Sequence, residues 1–151
     1  PKCDLRRLSN ILSMSVDKIR IALQVSVNSI VPAIDTVWEN VPYVVKPGVH
    51  YQAVFLKTVP YNPVYGTVLT TRYNGILYVR LFMANDTLKP KGTKLITDRA
   101  LLLLDKFKIG SSHINSNVEC IIEETPDFNT EGAEGDRFKG LFTAKFFTNL
   151  L

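Results

Sequence analysis

Two long runs of alternating residues constrain the fold more than any other feature. In the first, Leu77, Val79, Leu81 and Met83 alternate with Ile76, Tyr78, Arg80 and Phe82. In the second, between Arg137 and Phe147, Phe138, Phe142, Ala144 and Phe146 alternate with Lys139, Thr143 and Lys145. A period of two sends neighbouring side chains to opposite faces of a strand. Each run therefore has one apolar face that must be covered by a second layer. The grouping of three phenylalanines with Ala144 marks a core face, not a platform on which bases stack.

The covering layer is legible too. Val16, Ile19, Leu23, Val27 and Ile30 recur at helical spacing, with Ser15 as the expected N-cap, Asp17 in the first turn and Pro32 beyond the end. Ile96, Ala100, Leu103, Leu104 and Phe107 form a second helical stripe, entered at Thr93 and stopped at Gly110. Further strands are expected over Tyr51–Val59 and around Val118, Cys120 and Ile122. In the first of these, Gln52, Val54, Leu56 and Thr58 oppose Tyr51, Ala53, Phe55 and Lys57. Asn74-Gly75 suits either a hairpin turn or a bulge, and the bulge is preferred because it leaves one long strand from Thr70. The order helix, strands, helix, strands predicts an α+β two-layer sandwich: a mostly antiparallel sheet with two helices packed on one face.

Between the first helix and the first strand lies "DTVWENVPYVVKPG". Pro42 and Pro47 forbid a helix and disfavour a central strand, so this segment should carry the chain across the sheet. Trp38 is expected to pack on the first helix or the sheet edge, with Glu39 and Asn40 turned to solvent. "ETPDFNTEGAEGDR" reads as an acidic loop, "GSSHIN" as a turn, and "VPYNPVYGTV" as a loop displaying Tyr61 and Tyr65. The 151 residues suit one domain, spanning 14–151, with residues 1–13 as a flexible N-terminal extension.

Chemical motifs are sparse. His113 follows Ser112 directly, which sends the two side chains to opposite faces of an extended chain, so no nucleophile–base pair is expected there. His50 stands alone at a strand start. No zinc spacing, calcium loop or phosphate-binding glycine loop occurs, and no enzyme activity, cofactor or metal is expected. Cys3 and Cys120 do not make a disulfide framework, and a reducing compartment is the simplest reading. The Asn85–Thr87 sequon reads as chance. The longest apolar run, Ala100–Leu104, is too short to span a membrane, and no secretory signal is expected.

Charge is the more informative signal. Residues 1–109 hold 15 Lys/Arg and 7 Asp/Glu, a net +8, whereas residues 110–151 hold 3 and 7, a net −4. Such a molecule can bind a copy of itself head to tail. The expected contact sets Asp127, Glu131, Glu134 and Asp136 of one copy against Lys89, Lys91 or Arg72 of the next, with Tyr61 and Tyr65 as apolar anchors. The alternative is a basic nucleic-acid-binding module, with Lys89, Lys91, Lys94, Arg99, Lys106 and Lys108 gathered around the second helix.

The succession "SVDKIRIALQ", "TVWENVPYVV", "HYQAVFLKTVPYNP", "RYNGILYVRLFM" and "KGTKLITDRALLLLDKF" resembles the tail terminator-like proteins of long-tailed, siphovirus-type bacteriophages. Trp38, Pro42 and Pro47 match the crossing segment, Pro60 and Pro63 the proline loop, and Arg72, Gly75 and Tyr78 the long strand. The resemblance spans residues 14–151 and rests on order and spacing. It implies a non-enzymatic virion protein that assembles in the host cytoplasm. Copies, typically six, close into a ring on the head-proximal end of the tail tube, stop tube polymerisation and present the head-joining surface. The implied partners are further copies of the chain, which is monomeric when free, the tail tube protein and the head–tail connector. DNA only passes through the lumen, and no membrane is involved. A head-completion or connector protein of the same joint is the nearest alternative role.

Overall fold

A computed structural model describes residues 5–39, 41–61, 72–84 and 92–150. The elements follow as α1 (Leu5–Asn28), β1 (Asp35–Val37), β2 (Tyr51–Tyr61), β3 (Arg72–Ala84), α2 (Gly92–Lys106), β4 (Ser112–Asn115), β5 (Val118–Ile122), β6 (Asp127–Glu134) and β7 (Arg137–Leu150). The strands form one sheet in the order β1-β2-β3-β7-β5-β4, with β6 also paired to β7. Only the β1–β2 pair is parallel. β7 is the hub: it pairs with β3 along one edge, and along the other with β6 through Arg137–Thr143 and with β5 beyond Phe146.

Both helices lie on the same side of this sheet, α1 over β4, β5 and β2, α2 over β7 and β3. The chain is thus an α+β protein with a mostly antiparallel sheet. The helical stripes face inward as their spacing requires: Ile19, Leu23, Val27, Ile96, Leu103 and Phe107 are buried. They meet the apolar faces of the strands, among them Leu77, Val79, Leu81, Phe142, Ala144 and Phe146. At about 25 cal/mol per Å² of apolar surface, each such side chain contributes roughly 1.5–3 kcal/mol.

Several local expectations are corrected. The first helix begins at Leu5 and not at Ser15, so Ser15 is interior and the boundary drawn after residue 13 falls within a continuous helix. Neither Gly nor Pro interrupts residues 5–28, and Leu5, Leu8 and Leu12 keep phase with the stripe below them. Residues 1–4 lie outside the described residues. Asn74-Gly75 is neither turn nor bulge, because β3 pairs with β2 and β7 in unbroken register through it. Glycine is needed there for a close approach: a Cβ would sit 2.4 Å from Cζ of Phe146 and 2.8 Å from the Lys57 carbonyl oxygen.

The stretch expected to be an acidic loop contains β6, folded against β7 with a register shift between Thr130 and Gly132. "GSSHIN" contains β4 and is not a turn. Both are outer strands with few inward apolar positions, so the alternation that reveals a half-buried strand is nearly absent. β1 is only three residues long and was read as part of the crossing segment. At the end of α2, Gly110 takes φ +80° and its N–H donates to the Ile122 carbonyl at 2.9 Å, which ties the helix exit to β5.

Candidate interaction surface

The sheet face away from the helices is the broadest candidate surface. Cross-strand register puts Tyr51 opposite Phe82 and Phe55 opposite Tyr78. The rings stack at 4.4 and 4.8 Å between centroids. Tyr43 leans on Tyr51 at 5.3 Å and donates its hydroxyl hydrogen to Asp35 at 3.1 Å, so the crossing segment does lie against the sheet. Arg137 secures it. Its guanidinium lies 5.2 Å from the Tyr51 ring centroid and donates to the carbonyls of Lys46 at 2.7 Å and Val49 at 3.3 Å. The same segment leaves Val41, Val44 and Val45 exposed, a small apolar patch that its sequence did not single out.

Trp38 packs half-buried on the core. Glu39 is not turned to solvent, which corrects the expectation. Its Oε1 accepts from the Leu56 backbone N–H on the free edge of β2, and its Oε2 lies 3.6 Å from Arg20. Asn40 lies outside the described residues.

The predicted contact residues divide as follows. Glu131, Glu134 and Asp136 lie towards the turn of the β6–β7 hairpin, whereas Asp127 begins β6 at its other end, opposite Thr143. Three of them are ion-paired within the chain: Glu131 with Arg80 at 3.1 Å, Glu134 with Lys139 at 2.6 Å, and Asp136 with Arg137 at 3.4 Å. The hydrogen bond from Lys139, reinforced by its charge, holds the Glu134 carboxyl below its usual range. Asp127 instead accepts from the Asn129 side-chain amide at 3.2 Å, and no cation among the described residues pairs with it. Tyr61 and Arg72 oppose one another in the β2–β3 register, at the far end of β3 from the hairpin. Tyr65, Lys89 and Lys91 lie outside the described residues.

Of the basic residues expected around α2, Arg99 does not belong to the surface, and Lys89 and Lys91 lie outside the described residues. Arg99 is 4% exposed, while Lys94, Lys106 and Lys108 are exposed. Burial lowers the Arg99 pKa from its usual value. Arg99 occupies the apolar stripe three residues after Ile96 and four before Leu103, so helical spacing alone marked it as inward-facing.

His113 is buried, not a turn residue. Its Nδ1 is 2.6 Å from Ser26 Oγ and its Nε2 is 3.1 Å from Ser111 Oγ, while Phe107 packs on the ring at 4.7 Å. One nitrogen donates to a serine hydroxyl and the other accepts from one, which satisfies a neutral ring. Burial, with a smaller contribution from Lys106, pushes its pKa down to about 4. No carboxylate among the described residues bonds the ring to orient it as a base. Ser112 points to the opposite face and donates to Glu119 at 2.9 Å. Cys120 is a buried free thiol, pushed up to about 12 by burial and by Glu119. Among the described residues, no group of three His, Cys, Asp or Glu side chains is placed to hold a metal. No described helix is long and apolar enough to cross a membrane.

No family model matches the sequence, and no curated protein matches it. A solved structure of a protein without a functional name is similar over 91% of this chain and 98% of its own, with a TM-score of 0.69 at 14% identity. That likeness shows the shared fold alone.

Proposed function

We propose that this protein is a ring-forming tail terminator of a long-tailed bacteriophage, a subunit that caps the head-proximal end of the tail tube and offers a joining surface to the head. The observation that carries the reading is the distribution of charge along β3. Arg72 and Tyr61 stand at its start, and the acidic β6–β7 hairpin lies beside its end, where Ala84 pairs with Arg137. Thirteen residues separate these poles by about 40 Å at the rise of a strand. Hairpin carboxylates that exchange Arg80, Lys139 or Arg137 for Arg72 of the next copy make a heterologous contact, and such a contact closes into a ring when the rotation per subunit is right. The three ion pairs in the hairpin do not preclude this, because exposed pairs hold only about 0–1 kcal/mol each and can exchange partners.

The sheet face with its aromatic pairs, and the exposed valines of the crossing segment, supply further surface for tube or connector. Weak contacts between free subunits keep the ring open until a tube end presents several sites at once. The test is to add the protein to polymerising tail tube subunits and image the products by electron microscopy. The expected outcome is arrested growth with a ring of extra density at one tube end. Tubes that lengthen unchanged, with bare ends, would refute the reading.

A further inference from the structure

Beneath α2, on the side of the β2 start and the β3 end, lies a cavity of about 250 Å³ that the ring reading does not use. Ile34, Met83, Leu95 and Leu102 form its apolar wall, and Arg99, His50 and Asp98 are its polar members. This volume sits just below the range of pockets for drug-sized ligands, so it suits a small molecule.

Arg99 is the anomaly. It is 4% exposed, yet no carboxylate among the described residues pairs with it. Two of its nitrogens donate to neutral acceptors, the Pro32 carbonyl and Gln52 Oε1, the latter at 3.3 Å. Its Nε–H is buried without an acceptor. A buried guanidinium in this state is under-compensated, and a carboxylate is the group whose geometry and charge complete it. His50 adds a second donor. Its Nδ1 accepts from the Ala84 backbone N–H at 2.9 Å, so the neutral ring carries its proton on Nε2. Asp98 is exposed and bears charge of the opposite sign to Arg99. It disfavours a multiply charged anion, and the apolar wall disfavours a fully hydrated one.

We propose that this cavity binds a small monocarboxylate with an apolar body, the carboxylate bonded to Arg99 and the hydrocarbon laid against Leu95, Leu102 and Met83. The structure thus supplies both halves of an amphiphile's complement: a buried cation and an apolar wall.

The experiment is a titration of the intact chain with hexanoate, hexanol and inorganic phosphate, read by the methyl NMR signals of Met83, Leu95 and Leu102. Hexanoate is expected to shift these signals with an affinity at least tenfold above that of hexanol, and phosphate to leave them unmoved. Arg99→Met should bring hexanoate down to parity with hexanol. Leu102→Trp, which keeps the arginine and fills the cavity, should abolish hexanoate binding, and it decides the matter if Arg99→Met fails to fold. Equal affinity for hexanoate and hexanol in the unaltered protein overturns the proposal. So does an absence of hexanoate-induced shifts, hexanoate preference surviving in a folded Arg99→Met, or hexanoate binding undiminished in Leu102→Trp.

Discussion

Single positions carry consequences that their burial makes measurable. Gly75 leaves no room for a Cβ between Phe146 and the Lys57 carbonyl, and neither neighbour is a flexible chain end. Gly75→Ala is therefore expected to destabilise the fold by about 1–3 kcal/mol through overpacking, measured by urea unfolding. His113 gives a pH signature. Its pKa is about 4 in the folded protein, below the ordinary value of 6.5 that applies when the chain unfolds. Between these values the unfolded state binds more protons, so stability falls as pH drops through that window and is unaffected by this group above it. The full difference is roughly 3 kcal/mol at 1.36 kcal/mol per unit. His113→Asn should lower stability at neutral pH and yet remove this part of the slope, seen by comparing unfolding midpoints of the two proteins from pH 7 to pH 4.

At the level of elements, the edge of β2 beyond β1 has no strand partner among the described residues. β1 pairs only with Tyr51–Ala53, and beyond it the Leu56 N–H meets Glu39 instead of water or a strand. Glu39→Ala should cost about 1–3 kcal/mol, because it removes a charged acceptor and a partner of Arg20. Amide exchange at Leu56 should quicken more than at Val54 or Val79. The same elements show what a sequence reveals. The helical stripes and the inner faces of β3, β5 and β7 were legible because one side of each is mostly apolar, and β2 was legible from its alternation although Gln52 and Thr58 share its inner side with Val54 and Leu56. β6 was not, because Phe128 is its one half-buried large apolar side chain and Ala133 is exposed. β4 was hidden by its four-residue length, with only His113 fully buried. The acidic residues were legible as composition, but the pairs Glu131–Arg80 and Glu134–Lys139 were not, since they depend on how β6 lies against β7 and β7 against β3. Arg99 was counted as surface charge although its spacing placed it in the core stripe, since charge normally outweighs phase in such a reading.

At the scale of the whole molecule, the proposed ring should respond to a single reversal of charge. Asp127 stands level with Tyr78, midway along β3, and it can be reversed without disturbing an ion pair, because it lacks a cationic partner among the described residues. Asp127→Lys should weaken ring formation about tenfold at low salt and less at high salt, with the unfolding midpoint nearly unchanged, as measured by sedimentation on capped tubes. Ring formation that is indifferent to the reversal at low salt would reject a part for Asp127 in the contact between copies. β7 sets a different constraint on the molecule as it is made. It comes after every other strand along the chain, yet it occupies the middle of the sheet, joining the β2–β3 hairpin to β4, β5 and β6. Until residues 137–150 have left the ribosome, the two halves have nothing to zip onto. The emerging polypeptide must wait with its apolar faces open and then close in one late step.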